Sequence, residues 1–152
     1  MFLEFKIINP NIIIMEATIE LKKGYGALLF GQTPEQVLGL MGTPDEVEQI
    51  GEEMEIPTTV LHYDEQGIAL FFETGDQEKL VCINVESKEM TLFGEKIFGK
   101  SKKEIETLLK QNSISDIEHD NEEWGEERLG SEDYSIDFYF SDDKLESVTI
   151  GR

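Results

Sequence analysis

The stretch Tyr25–Thr33, YGALLFGQT, recurs in similar form as Phe93–Ser101, FGEKIFGKS. Both copies keep an aromatic residue, a glycine, a Leu or Ile, a Phe-Gly pair and a final hydroxyl residue, at a constant offset of 68 residues. Extending the comparison to residues 41 and 109 gives four identities and five conservative pairs in seventeen positions. The sequence therefore predicts an internal duplication.

Each copy ends in a helix start signal. Thr33 is followed by Pro34 and by Gln36, and Ser101 is followed three residues later by Glu104. Both are capping boxes, in which a hydroxyl and a Gln or Glu satisfy each other's backbone N–H groups. The apolar residues at i, i+3 and i+4 are Val37, Leu40 and Met41 in the first copy and Ile105, Leu108 and Leu109 in the second. This spacing predicts a short helix with one buried face in each copy.

The duplication continues into alternating segments typical of strands. Residues 67–73 (GIALFFE) match 135–141 (SIDFYFS), and the apolar positions of 80–85 match those of 145–150 after a turn. Turns rich in Gly or Asp separate the segments, as in a β-hairpin. Since the patterned face of the hairpin needs a cover, the sequence predicts an α+β fold built from two tandem helix-plus-antiparallel-meander repeats in two layers.

The predicted organisation is one compact domain in three parts. Residues 1–24, with two apolar segments around an Asn-Pro-Asn turn, are expected to form an N-terminal β-hairpin. Residues 25–92 form the first repeat and 93–152 the second.

The first unit resembles the SmpA/OmlA and β-lactamase-inhibitor-protein (BLIP-like) group. The resemblance rests on Gly31, Thr33, Gln36, Val37, Leu40, Met41, Gly42 and Pro44, then on Tyr63 and the strands at 68–72 and 80–85. It implies an α+β fold with one continuous curved antiparallel sheet, and a protein-binding role for that sheet and its loops. The chain departs from the group in three respects: the second copy lacks the Gly-x-Pro, and the chain has neither a disulfide pair nor a lipidated cysteine.

Composition bounds the class of partner. The chain has 33 acidic and 13 basic residues, a net charge of −20. Such a surface repels the phosphates of nucleic acid and of anionic membranes, so neither is an expected partner, whereas a basic protein is attracted. The only cysteine, Cys82, suits a reducing compartment, and the N-terminal segment lacks a signal-peptide core, so a cytoplasmic location is expected.

Few residues offer catalytic chemistry. His62, His119 and Cys82 are the only imidazoles and thiol, and Cys82 falls within an apolar strand pattern where the second copy has Ser147. We therefore expect no enzyme activity, no cofactor and no dedicated metal site. Residues 116–127 have acids at several EF-hand positions, but Asn121 replaces the required glycine.

The same acidic segment is the predicted partner-binding site. It surrounds Trp124, the only tryptophan, and the connection 45–55 in the first copy is also acidic. The candidate residues are Trp124, Asp120, Glu122, Glu123, Glu126, Glu127, Glu52 and Glu53. An aromatic anchor within an acidic rim favours a non-enzymatic domain that binds a basic protein, such as an inhibitor or an immunity-type protein. Two alternatives stay open: Trp124 fills the core of the second half, or the domain binds a small ligand or a divalent cation.

Overall fold

The computed structural model describes residues 16–51, 53, 57–75, 77–121 and 126–152. The elements of the first half are β1 (Thr18–Glu20), β2 (Gly24–Tyr25), β3 (Leu28–Leu29), α1 (Pro34–Met41), β4 (Glu46–Ile50), β5 (Thr58–Tyr63), β6 (Ile68–Glu73) and β7 (Lys79–Val85). Those of the second half are β8 (Thr91–Leu92), β9 (Glu95–Lys96), α2 (Lys102–Gln111), β10 (Glu118–Asn121), β11 (Glu127–Ser131), β12 (Ile136–Ser141) and β13 (Lys144–Gly151). Most of the expected N-terminal hairpin lies outside the described residues.

The strands form two sheets. The larger has eight antiparallel strands in the order β10-β11-β12-β13-β7-β6-β5-β4, so the last strands of the two halves meet at its centre. The smaller has the order β3-β2-β1-β8-β9, in which β1 and β8 are parallel. Both sheets therefore contain strands from both halves.

The fold is mainly β, and the predicted α+β class of two helix-plus-meander repeats is wrong. Strands make up 45% and helices 14% of the described residues, which include two helices. The prediction treated 46–50 and 118–121 as acidic loops, whereas both segments are strands at the edges of the large sheet. A charged sequence is compatible with an edge strand, because its side chains face water and its backbone pairs on one side only. The prediction also missed the smaller sheet, whose strands are two or three residues long.

Both predicted capping boxes are confirmed. Thr33 Oγ1 accepts a hydrogen bond from the Gln36 N–H, and Gln36 Oε1 accepts one from the Thr33 N–H at 2.9 Å. Ser101 and Glu104 make the equivalent pair of bonds at the start of α2. Helix α2 buries Ile105, and also Leu108 and Leu109, whereas Val37 is the only fully buried residue of α1. The shorter helix is therefore the less firmly packed of the two.

The repeated Phe-Gly segment joins each helix start to its own hairpin. The Gly31 N–H donates to the Leu80 carbonyl, and the Leu80 N–H donates to the Gln32 carbonyl. Gly99 and Leu145 make the equivalent bond in the second half. Both glycines have positive φ angles, 96° and 82°, which other residues rarely adopt. The two predicted hairpins, β6–β7 and β12–β13, are confirmed, and each contains an irregularity in register near this junction.

The sequence repeat does not hold at every position. Tyr25 is buried, whereas its sequence counterpart Phe93 is 39% exposed, and Ile97 is buried where Leu29 is exposed. The turn of the β8–β9 hairpin begins one residue earlier in the repeat, at Phe93, which has a positive φ angle of 52°. A shift of one residue in a strand exchanges inward and outward positions, so these pairs are equivalent in sequence but not in burial.

One hydrophobic cluster contains buried residues from both halves and both sheets. On the large sheet it takes alternate residues of each central strand: Leu70 and Phe72, Ile83 and Val85, Phe138 and Phe140, Val148 and Ile150. The helices contribute to the same cluster, so they cover this face. The alternate residues of the same strands lie on the opposite, open face.

Candidate binding groove

The open face of the large sheet carries a groove of about 820 Å³. It crosses the central strands, and the side chains of its floor alternate with the core residues. The residues that form the floor are Ala69 and Phe71 on β6, Cys82 and Asn84 on β7, Tyr139 on β12, and Ser147 and Thr149 on β13. The groove therefore lies on the junction between the two halves.

The floor is built from equivalent positions of the two halves. Phe71 is opposite Cys82 in the β6–β7 ladder, and Tyr139 is opposite Ser147 in the β12–β13 ladder. Between the two rings, Thr149 Oγ1 donates to Asn84 Oδ1 at 3.0 Å across the central strand pair. Two half-buried aromatic rings therefore flank a polar centre.

The two sides of the groove differ beyond the rings. The first half has Val60 opposite Phe71, with Ala69 nearby on β6. At the corresponding positions the second half has Arg128, opposite Tyr139, and Asp137. The Arg128 Nε donates to Asp137 Oδ1 at 2.8 Å. At these positions the first half is thus apolar, whereas the second half carries an ion pair.

Arg128 is shared among several carboxylates. Its guanidinium lies 2.5 Å from an Asp120 oxygen and 3.8 Å from a Glu118 oxygen, in addition to Asp137. Burial disfavours its charge, but the hydrogen bonds and charges of Asp137 and Asp120 outweigh burial and raise the pKa of Arg128. The positive charge of Arg128 is therefore balanced by its own carboxylate partners and does not offset the acidic residues elsewhere on the face.

The groove itself is acidic. Asp64, Glu86 and Glu126 contribute to its lining, and none of the described lining residues is a lysine or an arginine. Burial and then the charge of Asp137 raise the pKa of Tyr139, so its phenol is a neutral hydrogen-bond donor. The surface combines aromatic area with unneutralised negative charge.

Cys82 and His62 both line the groove but do not form a nucleophile–base pair. Strand β6 separates their strands, which places their backbones about 10 Å apart at the usual strand spacing. Burial, followed by the charges of Asp137 and Glu73, raises the pKa of Cys82 to about 11. The thiol is therefore protonated at neutral pH, in the form that is a poor nucleophile.

The structure separates the two acidic segments whose residues were predicted to form one binding site. Asp120 and Glu127 lie on β10 and β11 at one edge of the sheet, and Glu126 reaches the groove. Glu53 follows β4 at the opposite edge, which is about 33 Å away across seven strand spacings. The remaining candidates, Trp124, Glu122, Glu123 and Glu52, lie outside the described residues.

The EF-hand interpretation of 116–127 does not fit the observed backbone. Residues 118–121 are a strand paired with β11 instead of a calcium loop. Asp116 accepts hydrogen bonds from the Asp133 N–H and the Ser131 hydroxyl, and these bonds lower its pKa. Its carboxylate thus has a structural role in holding a turn.

The residues of the groove floor were not among those predicted from the sequence. Phe71 and Tyr139 occupy equivalent positions, out of phase with the core residues of their strands, and the alternation of each strand could have identified them. The pairing of β7 with β13, which brings Asn84 to Thr149, has no local sequence signal.

Comparisons with known proteins do not identify a family. No protein-family model and no curated protein matches the chain. Among solved structures, the chain is similar to the crystal structure of an extracellular protein containing a SCP domain from Bacillus anthracis str. Ames. The identity is 16% and the TM-score 0.45, over 78% of this chain and 42% of that one. The chain thus spans less than half the length of this neighbour.

Neither described helix has the length and apolar content needed to cross a membrane.

Proposed function

We propose that this protein is a non-enzymatic binding domain whose groove holds a basic segment of a partner protein. The observation that carries the proposal is the lining of the groove, where Phe71 and Tyr139 lie among carboxylates and none of the described lining residues is a lysine or an arginine. A lysine or arginine side chain suits such a surface, because its aliphatic stem packs on aromatic rings while its charged end meets carboxylates.

The charge of the whole chain supports the same class of partner. A net charge of −20 attracts a basic protein at long range and increases its association rate. An inhibitor or immunity-type protein that covers a basic enzyme or toxin is the form of binding that we propose. The raised pKa of the Cys82 thiol and its separation from His62 support a role without catalysis.

The test is affinity capture with matched variants. The immobilised wild-type protein is compared with the double variant Phe71→Ala/Tyr139→Ala and with Leu38→Ala/Val47→Ala, which truncates two exposed apolar residues outside the groove. We expect a basic protein to be retained by the wild type and the control and lost by the groove variant. The association rate of the isolated complex should fall about tenfold or more between low and high salt.

Two results would contradict the proposal. One is capture of the same proteins by the groove variant, which would place binding elsewhere on the surface. The other is the absence of any captured basic protein at low salt. Circular dichroism of each variant establishes that the sheet is intact before the comparison is made.

A further inference from the structure

We infer that Glu46, Glu48 and His62 form a binding site for a divalent transition-metal ion of the zinc class. Glu46 and Glu48 are alternate residues of β4, so their side chains lie on the same face of the sheet. His62 is directly opposite Glu46 in the β4–β5 ladder. Its Nε2 is 2.9 Å from Glu48 Oε1, and one ligand atom from each of the three residues lies within 4.8 Å of the others.

The backbone around this cluster is fixed on both strands. The Asp45 N–H donates to the His62 carbonyl at 2.8 Å, and Asp45 Oδ2 accepts from the Asp64 N–H at 2.7 Å. The three ligand side chains therefore project from a paired ladder. Glu46 and Glu48 are exposed, so their side chains can rotate to place one oxygen each on an ion beside His62 Nε2.

The second half of the protein shows how the same arrangement is neutralised by an arginine. Its edge strand, β10, has Glu118 and Asp120 on the open face, in the same register as the two glutamates of β4. There Asp120 is opposite Arg128, whose guanidinium contacts both acids at 2.5 and 3.8 Å. A permanent cation thus occupies the space between the two carboxylates.

The first half has no such guanidinium. Val60 stands at the position equivalent to Arg128, and the described residues place no lysine or arginine within ion-pair distance of Glu46 or Glu48. The group that approaches them is the His62 imidazole, which binds metals in its neutral form. A repeated pair of edge-strand carboxylates is therefore paired with arginine in one half and with a metal ligand in the other.

The ligand set selects the class of ion. One imidazole and two carboxylates favour Zn²⁺, Co²⁺ or Ni²⁺ over Mg²⁺ and Ca²⁺, which prefer oxygen ligands alone. Three protein ligands leave one tetrahedral position for water or for a group from a bound partner. Because His62 also lines the groove, the ion would lie at the rim of the proposed binding surface. The metal site does not depend on the proposed function of the groove.

The test is titration of the metal-free protein with Zn²⁺ by calorimetry, and with Co²⁺ by visible absorption, at about pH 7.5, where an ordinary imidazole is neutral. We expect one ion per chain with micromolar affinity and the intense absorption of tetrahedral Co²⁺. His62→Gln and Glu48→Gln should each weaken binding about tenfold or more. The matched control is His119→Gln, since His119 is the other histidine and also contacts a glutamate, Glu106, at 3.3 Å.

The inference is overturned if the wild type binds neither ion at a metal concentration of about 1 mM. It is equally overturned if His62→Gln binds as the wild type does, or if His119→Gln loses binding to the same extent as His62→Gln. Partner capture by the metal-free protein is a separate measurement, so failure of one proposal does not decide the other.

Discussion

Tyr63 is 2% exposed, yet its phenol has a partner, the carbonyl of Gly42, to which it donates a hydrogen bond of 2.8 Å. Gly42 caps the C-terminus of α1, so this bond ties the helix end to β5. Burial and then the charge of Asp45 raise the pKa of Tyr63, which keeps the phenol protonated. We predict that Tyr63→Phe lowers the free energy of unfolding by about 1–2 kcal/mol, measured by urea denaturation.

The matched control for this change is Tyr134→Phe, because the side chain of Tyr134 is exposed. It should unfold at the urea concentration of the wild type. Equal stabilities of the wild type and Tyr63→Phe would show that the Gly42 carbonyl finds another partner and that the bond does not anchor the helix.

Cys82 makes the stability of the protein depend on pH in the alkaline range. Its pKa is about 11 in the folded protein against an ordinary 9.0, so between these values the unfolded chain loses the proton while the folded chain keeps it. The stabilisation from the neutral thiol is complete below pH 9 and is lost as the pH rises towards 11. We predict that the wild type loses more stability than Cys82→Ala over this interval, measured by thermal denaturation at a series of pH values. Parallel curves for the two proteins would contradict the shift.

At the scale of elements, the helix caps are the features that depend most closely on local sequence. We predict that Thr33→Ala and Ser101→Ala each lower the free energy of unfolding by about 1 kcal/mol, because a hydroxyl that accepts a backbone N–H is removed. Thr107→Ala, at an exposed position within α2, is the control and should be neutral or slightly stabilising, since alanine favours helix. Denaturant titration of the three variants checks the order of stability, and a loss at Thr107 equal to that at Ser101 would contradict it.

The cap of α2 also has a pH dependence. Hydrogen bonds from the Ser101 backbone and then from its hydroxyl lower the pKa of Glu104 below its ordinary 4.5. The contribution of the carboxylate is therefore present above pH 4.5 and is lost as the pH falls through the lowered value. We predict that Glu104→Gln has a lower free energy of unfolding than the wild type at pH 7, and that this difference is smaller below pH 4.5. Denaturation at the two pH values measures the difference. A constant difference would mean that the carboxylate charge has no part in the cap.

The elements differ in how far a local sequence determines them. Helices α1 and α2 were predicted because a cap and an i, i+3, i+4 pattern lie within ten residues of each other. Strands β4 and β10 were missed because their sequences are acidic and their partners, β5 and β11, supply the pairing that makes them strands. Edge strands carry the least sequence signal, since neither face needs to be apolar.

At the scale of the molecule, the two halves share one core. Phe72 and Phe140 are equivalent, fully buried and members of one hydrophobic cluster. We predict that Phe72→Ala and Phe140→Ala each cost about 3–5 kcal/mol and that each variant still unfolds in one transition. Calorimetry together with circular dichroism tests this. Two separated transitions in either variant would show that the halves unfold independently and that the β7–β13 pairing does not couple them.

The duplication, the two capped helices and the central hairpins follow from the sequence alone, because caps, turns and alternation act within a few residues. The acidic surface, which supports the class of partner that we propose, also follows from the sequence. The mainly β class, the groove at the β7–β13 junction and the proximity of His62 to Glu46 and Glu48 arise in the tertiary structure. These features depend on which strand pairs with which, and in an antiparallel sheet that choice is made by burial of one shared face across distant segments.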